Sequence, residues 1–336
     1  MKNKETDINN NYSKELPHIP TLPQELLEEI TKGNVIVFIG NGVSRLGNIP
    51  SWKELAIQYL NDWYNSSDGS LSFDMYEQIK NKNPLEILTM CKCHSSFNIN
   101  SLDNKLTGRL SNKDRKLLKK TYKYLQDFQT GYITTNYDKF LLQSYESNPK
   151  EENLCIKLNK KIEQMQEVSF DDFIKEQKSR VVYLHGRLNS KYQSPILTLK
   201  DYLEHYREHG PGRNFLKNIF SYKSIFFIGL GLTEFEIIQH IQPPRIATFK
   251  NYLLLGISEY EKNTREQYSK YYEILNIVPI FYNKTQKGYK QLVDILEIWA
   301  TQIIQKRIEK YNAMIQSQEN EQNLQKLKGL KNEGFK

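Results

Sequence analysis

Cysteine is scarce in this chain: 336 residues include three, Cys91, Cys93 and Cys155. An odd, sparse set offers no disulfide framework and suits a reducing compartment, so free thiols in a cytoplasmic protein are expected. Long apolar runs are lacking too. No stretch approaches the roughly 18 consecutive apolar residues of a membrane span. The opening MKNKETDINNNYSKE is polar where a signal peptide would be apolar. Neither membrane insertion nor export is therefore expected. No internal repeat is visible. The net charge of +8 is the difference between 47 basic and 39 acidic residues, spread along the chain. In the densest basic run, Lys116, Lys119, Lys120 and Lys123 fall at helical spacing opposite Leu117, Leu118 and Leu125, which describes a solvated helix face. The glycine features that accompany phosphate binding are missing there, so direct nucleic-acid contact is not expected.

What is present is material for a core: 38% hydrophobic residues, with 22 Tyr and 15 Phe, which argues against wholesale disorder. Residues 1 to about 20 lack an apolar period and read as a flexible arm before a helix from Pro23 to Thr31. Val35 to Ile39 is a continuous, largely β-branched apolar run, as in a parallel strand covered on both faces. Residues 131–135, 180–184, 224–228 and 251–255 share that character. Residues 277–281 form a sixth candidate, which Pro279 demotes to an edge position. Helical patterns separate these runs, which predicts an α/β fold with a Rossmann-like, doubly wound, mostly parallel sheet of about six strands.

Some ninety residues separate the first two strands, too many for one crossover. They hold helical patterns near 52–64, 71–93 and 111–128, so a helical subdomain inserted at about 52–128 is expected. A charged helical stretch follows at 155–178. A long amphipathic helix over 290–316 closes the fold, and the last twenty residues read as a frayed polar tail. The expected division is thus an arm at 1–20, a catalytic domain at 21–290 and a terminal helix and tail at 291–336. Ile304, Ile308, Tyr311 and Ile315 recur at near-heptad spacing, which suits packing on the domain or a subunit contact equally.

Four strand ends carry polar or glycine motifs. Gly40-Asn41-Gly42-Val43-Ser44 follows the first strand, where glycines let backbone approach a diphosphate, or simply make a tight turn. Thr134-Thr135-Asn136-Tyr137-Asp138 follows the second; Asn136 and Asp138 can face the same crevice or cap the next turn. His185-Gly186 ends another strand, with the glycine allowing a sharp turn that leaves the imidazole toward a cleft. His94, His205 and His209 read as ordinary surface or helix residues. Gly229-Leu230-Gly231-Leu232-Thr233-Glu234 is a second glycine turn, able to offer donors to a phosphate or ribose or merely to start a helix. All four ends converge on one crevice.

The order and text of these motifs resemble the sirtuin superfamily. Gly40-Asn41-Gly42-Val43-Ser44-Arg45-Leu46-Gly47-Asn48-Ile49-Pro50 is similar to its glycine-alanine-glycine opening, with Trp52 where the family places a phenylalanine over nicotinamide. Thr135-Asn136-Tyr137-Asp138 resembles its glutamine-asparagine-isoleucine-aspartate. His185-Gly186 matches its catalytic histidine, and Gly229-Leu230-Gly231 its late nucleotide turn. Deacylating sirtuins follow that histidine with two CxxC pairs for zinc, whereas here no cysteine follows His185, so no metal is expected. Cys91, Cys93 and His94 supply too few ligands to replace them. Ile49-Pro50-Ser51-Trp52, the inserted helices and Ile196 to Tyr202 look like the sirtuin-like effector domains of bacterial anti-phage systems, which hydrolyse NAD.

The resemblance implies NAD as substrate, with Asn136 orienting water or ribose hydroxyls, Asp138 near the carboxamide and His185 removing a proton. Gly40, Asn41, Gly42, Val43, Ser44, Pro50, Trp52, Thr135, Gly229, Gly231 and Thr233 would hold the dinucleotide. It also implies a homo-oligomer and a separate partner such as a HerA-type ATPase or a short Argonaute. A deacylase or ADP-ribosyltransferase in the same pocket, or a silent module sensing NAD or ADP-ribose, are the alternatives.

Overall fold

Residues 16–66, 69–143, 165–177, 179–232, 234–241 and 249–333 are described in a computed structural model. Seven strands form one sheet: β1 (Val35–Ile39), β2 (Gly131–Thr134), β3 (Gln166–Glu167), β4 (Arg180–Tyr183), β5 (Ser224–Ile228), β6 (Asn251–Ile257) and β7 (Ile277–Asn283). Their order is β3-β4-β2-β1-β5-β6-β7, and every pairing is parallel. The fold is the expected Rossmann-like α/β architecture, with one more strand than the apolar runs showed. β3 has two polar residues and no apolar signature. β7, with Pro279, lies at the edge, where the missing N–H disrupts no inner ladder.

Period-two alternation divides the buried strand residues between two cores. Val35, Val37, Ile39, Tyr132, Val181 and Phe226 face the cluster that contains Trp299. Ile36, Phe38, Ile133, Val182 and Phe227 face the helices Leu199–Tyr206 and Pro211–Tyr222. The helix Gln24–Lys32 confirms the first helical pattern to within a residue. The pattern near 71–93 is two helices, Phe73–Lys80 and Pro84–Lys92, because Asn83 caps a new helix that has Pro84 in its first turn. Helices Trp52–Tyr64 and Asn112–Gln126 stand where expected, and a short one at Leu102–Thr107 lies between.

Three expectations change. Residues 16–20 are held: Leu16 is buried, the Pro17 carbonyl accepts from Asn283 N at 2.8 Å, and the Pro20 carbonyl accepts from Trp299 Nε1 at 2.9 Å. The last helix runs Gln291–Glu333, well past 316, because no Gly or Pro stop interrupts its polar extension until Gly329. Of its near-heptad set, Ile308 is buried and the others are half-buried. Of the stretch 155–178, residues 155–164 and 178 lie outside the described residues, and 165–177 hold β3 and the short helix Phe170–Lys175 in place of one continuous helix. On the basic helix, Lys116 and Lys119 are exposed and Lys120 pairs with Glu297 at 3.2 Å, as a solvated face requires, whereas Lys123 is half-buried and pairs with the buried Asp127 at 3.6 Å.

Candidate functional site

The strand registers explain how one crevice can use four loops. Tyr183 is level with Thr134, Thr134 with Ile39, and Ile39 with Ile228. Four neighbouring strands therefore end in one row, and the residues that follow each enter the space beyond their carboxyl ends. There Asn41, Pro50, Trp52, Thr135, Asn136, Asp138 and His185 share the wall of one cleft with Ile49, Leu55, Leu106, Tyr137 and Glu234. Seven of the sequence-predicted residues thus come together. Gly40, Gly42, Val43, Ser44 and Gly229 lie behind that wall, Gly231 is exposed beside it, and Thr233 lies outside the described residues.

The glycines have a local cause in the backbone itself. Asn41–Ser44 is one short helical turn, and Gly42 N donates to the Gly229 carbonyl at 2.8 Å. A Cβ on Gly40 would meet Gly229 O at 2.5 Å, one on Gly42 would meet it at 2.7 Å, and Gly229 itself has φ +67°. The two glycine turns cross in direct backbone contact, which no larger residue permits. That crossing sets the wall on which Asn41 faces the cleft.

Asn136 is fixed by three groups. Its Nδ2 donates to Gly40 O at 3.1 Å and to Ser44 Oγ at 2.9 Å, and lies 3.3 Å from the Tyr122 hydroxyl. Because a backbone carbonyl only accepts, the amide nitrogen must face Gly40, which leaves Oδ1 on the other side. That Oδ1 is buried and has no partner. Ser44 Oγ in turn donates to Asp138 Oδ2 at 2.6 Å, and Phe140 N donates to Asp138 Oδ1 at 3.1 Å. Asp138 thus ties the β1 turn to the β2 turn and also makes the short-range cap considered for it. Burial pushes its carboxyl above the usual range, against the lowering pull of Ser44 and Phe140.

His185 Nε2 shares a hydrogen bond with the Tyr206 hydroxyl at 2.9 Å. Gly186 makes the turn behind it with φ +66°, a Cβ there meeting Ser194 O at 2.1 Å. The backbone is pinned where Ile196 N donates to His185 O at 2.8 Å. Burial first, and the neighbouring His205 second, pull the imidazole down to about 3, so it is neutral at physiological pH. His205 is not a surface residue: it is 3% exposed and its Nδ1 lies 3.1 Å from Gln193 Nε2. Trp52, at the start of a helix capped reciprocally by Ser51 and Glu54, stacks on Tyr202 with centroids 6.2 Å apart. Its indole Nε1 is buried without a partner.

Sequence reasoning passed over Tyr122, Tyr202, Tyr206 and the chemistry of Glu234. Tyr202 and Tyr206, four apart on one helix face, were the available signal; Tyr122 carried none, being one of two tyrosines on a basic helix. Among the described residues no cluster of three or more His, Cys, Asp or Glu is placed to hold a metal, and no helix is long and apolar enough to cross a membrane.

Residues 130–280 match a family model described as the SIR2-like domain. Over 218 residues the chain is 26% identical to Defense-associated sirtuin 2 of Bacillus subtilis, a match covering 64% of this chain and 19% of that protein. The match therefore spans about a fifth of that relative's length.

Proposed function

From the match of residues 130–280 to the SIR2-like domain, a fold that uses NAD, we propose that the chain hydrolyses NAD+ to ADP-ribose and nicotinamide. The observation that carries this reading is the concentration of unpaired polar atoms on one wall. Trp52 Nε1, Asn136 Oδ1 and Glu234 Oε2 are all buried without a hydrogen-bond partner, and all three residues line the same cleft. Each such group costs about 1–3 kcal/mol unless something binds it. One donor and two acceptors suit a ligand with a carboxamide, ribose hydroxyls and an attacking water. The space in the cleft is about 70 Å³, and Ile49, Leu55 and Leu106 give it an apolar side.

Cleaving the nicotinamide–ribose bond builds positive charge on the sugar while the ring becomes neutral. Asn136 Oδ1 holds the water or a ribose hydroxyl near that carbon, and neutral His185 accepts a hydrogen bond from the ribose. The Asp138–Ser44 link keeps Asn136 in place, and Trp52 covers the ring. Likeness to a defence-associated sirtuin supports a role as the NAD-depleting effector of an anti-phage system. A homo-oligomer and a separate trigger protein, an ATPase of the HerA type or a short Argonaute, belong to the same reading, as does a cytoplasmic location.

Incubating the full chain with NAD+ and following nicotinamide, ADP-ribose and an acyl-lysine peptide tests the activity. Nicotinamide and ADP-ribose released in equal amounts, with loss in His185→Ala and Asn136→Ala, is the expected result. Acyl transfer from the peptide would favour a deacylase. Intact NAD+ after incubation with wild type would overturn the hydrolase reading.

A further inference from the structure

Proton removal was expected of His185 because of its place at a strand end, yet the cleft holds a second group better placed for it. Glu234 follows the β5 glycine turn and lines the cleft with Asn136 and His185. Its Oε2 lies 3.9 Å from His185 Nε2 and is buried without a hydrogen-bond partner, although the side chain as a whole is 28% exposed. The carboxylate therefore stands at the cleft mouth with an acceptor turned inward. His185 Nε2, by contrast, is already engaged by the Tyr206 hydroxyl.

Resting on the hydrolase reading above, we propose that Glu234 is the proton acceptor for the attacking water, and that His185 is a positioning residue that aligns water and ribose against it.

The surroundings agree. Facing Glu234 are His185 beyond β4, Tyr137 beyond β2, Tyr202 and Tyr206 from the helix Leu199–Tyr206, and Glu236 on its own short helix. At neutral pH the histidine and the tyrosines of this ring are uncharged. Burial and the Glu236 charge raise Glu234 to about 7, with the Tyr202 hydroxyl opposing them. A general base works best when its proton affinity lies near the working pH. Glu234 meets that condition and His185, at about 3, does not.

The step balances without another reactant. The water oxygen bonds to C1′ of the ribose as its proton passes to the Glu234 carboxylate. The C1′–N1 bond breaks with its electron pair going to the pyridinium nitrogen, which leaves as neutral nicotinamide. Glu234 then releases the proton to solvent.

The test is a pH profile of nicotinamide release by wild type, Glu234→Gln, Glu234→Ala and His185→Gln, with NAD+ binding and melting temperature measured alongside to show that each variant is folded. Wild-type kcat should climb through an inflection near pH 7. Glu234→Gln should lose about 10²- to 10⁴-fold in kcat with little change in NAD+ affinity, and the inflection should vanish. His185→Gln should be slower but keep the inflection. Azide, a nucleophile with no proton to lose, should restore turnover to Glu234→Ala and yield the azido-ADP-ribose. Wild-type rate and profile in Glu234→Gln, or an inflection lost only in His185→Gln, overturns the assignment while leaving the hydrolase reading intact. No nicotinamide release by wild type overturns both.

Discussion

Replacing Glu234 with Gln should stabilise the free protein, by an amount that depends on pH. The wild-type carboxyl is raised from 4.5 to about 7 in the fold, so the folded chain keeps its proton to higher pH than the unfolded chain does. Between about pH 4.5 and 7 the unfolded state binds fewer protons, and stability falls as pH rises; above 7 the loss is complete. At about 1.4 kcal/mol per tenfold change in proton affinity, the interval from 4.5 to about 7 amounts to about 3 kcal/mol, an upper bound because the side chain is 28% exposed. Glutamine keeps the shape and carries no charge to desolvate. With an unfolding entropy of about 2.1 cal/mol/K per residue, 336 residues give about 0.7 kcal/mol/K, and 3 kcal/mol becomes about 4 °C. Calorimetric melting should therefore place Glu234→Gln up to about 4 °C above wild type at pH 8 and within about 1 °C of it at pH 5. A melting difference that is the same at both pH values, or a variant less stable at pH 8, would refute the reasoning.

Other perturbations separate the roles of the site's parts. Ser44→Ala removes the donor to Asp138 and an acceptor of Asn136, and denaturant titration should show a loss of about 2–4 kcal/mol as a buried carboxylate is left short of a partner. Gly42→Ala drives a Cβ to 2.7 Å from Gly229 O; the denaturation midpoint should fall by the equivalent of about 1–3 kcal/mol, whereas an unchanged midpoint would mean that the two turns do not cross as described. Trp52→Phe keeps an aromatic ring against Tyr202 but drops the unpaired indole N–H, so KM for NAD+ should rise about threefold to tenfold, one hydrogen bond's worth, with kcat and melting temperature little changed. Exhaustive treatment with a zinc chelator should alter neither melting temperature nor NAD+ cleavage.

The central strands were legible because strands covered on both faces are mostly apolar, so Val35 to Ile39 and Ile225 to Ile228 announce themselves. β3 did not, being two polar residues that pair only because β4 offers an edge. The positions of Asn136 and His185 could be read, since strand ends follow from strands. Their protonation and partners could not: the low proton affinity of His185 comes from burial by Tyr202 and Tyr206, which are adjacent only in space. The glycine motifs were found, yet their reason lies in a contact between Gly42 and Gly229 that no local pattern encodes. Glu234 read as a helix start because nothing in its neighbours along the chain tells of the cleft opposite.

The insertion between β1 and β2 has a consequence for synthesis. Asn136 reaches back to Gly40 across 96 positions, and β5, which brings the second glycine turn and Glu234, pairs with β1 only later still. At translation speeds of about 5–20 residues per second, Glu234 leaves the ribosome roughly 10–40 s after Gly40. Until then the nascent chain has one wall of the cleft and lacks the other. Chain order alone therefore keeps the cleft incomplete until β5 and the turn after it have been made.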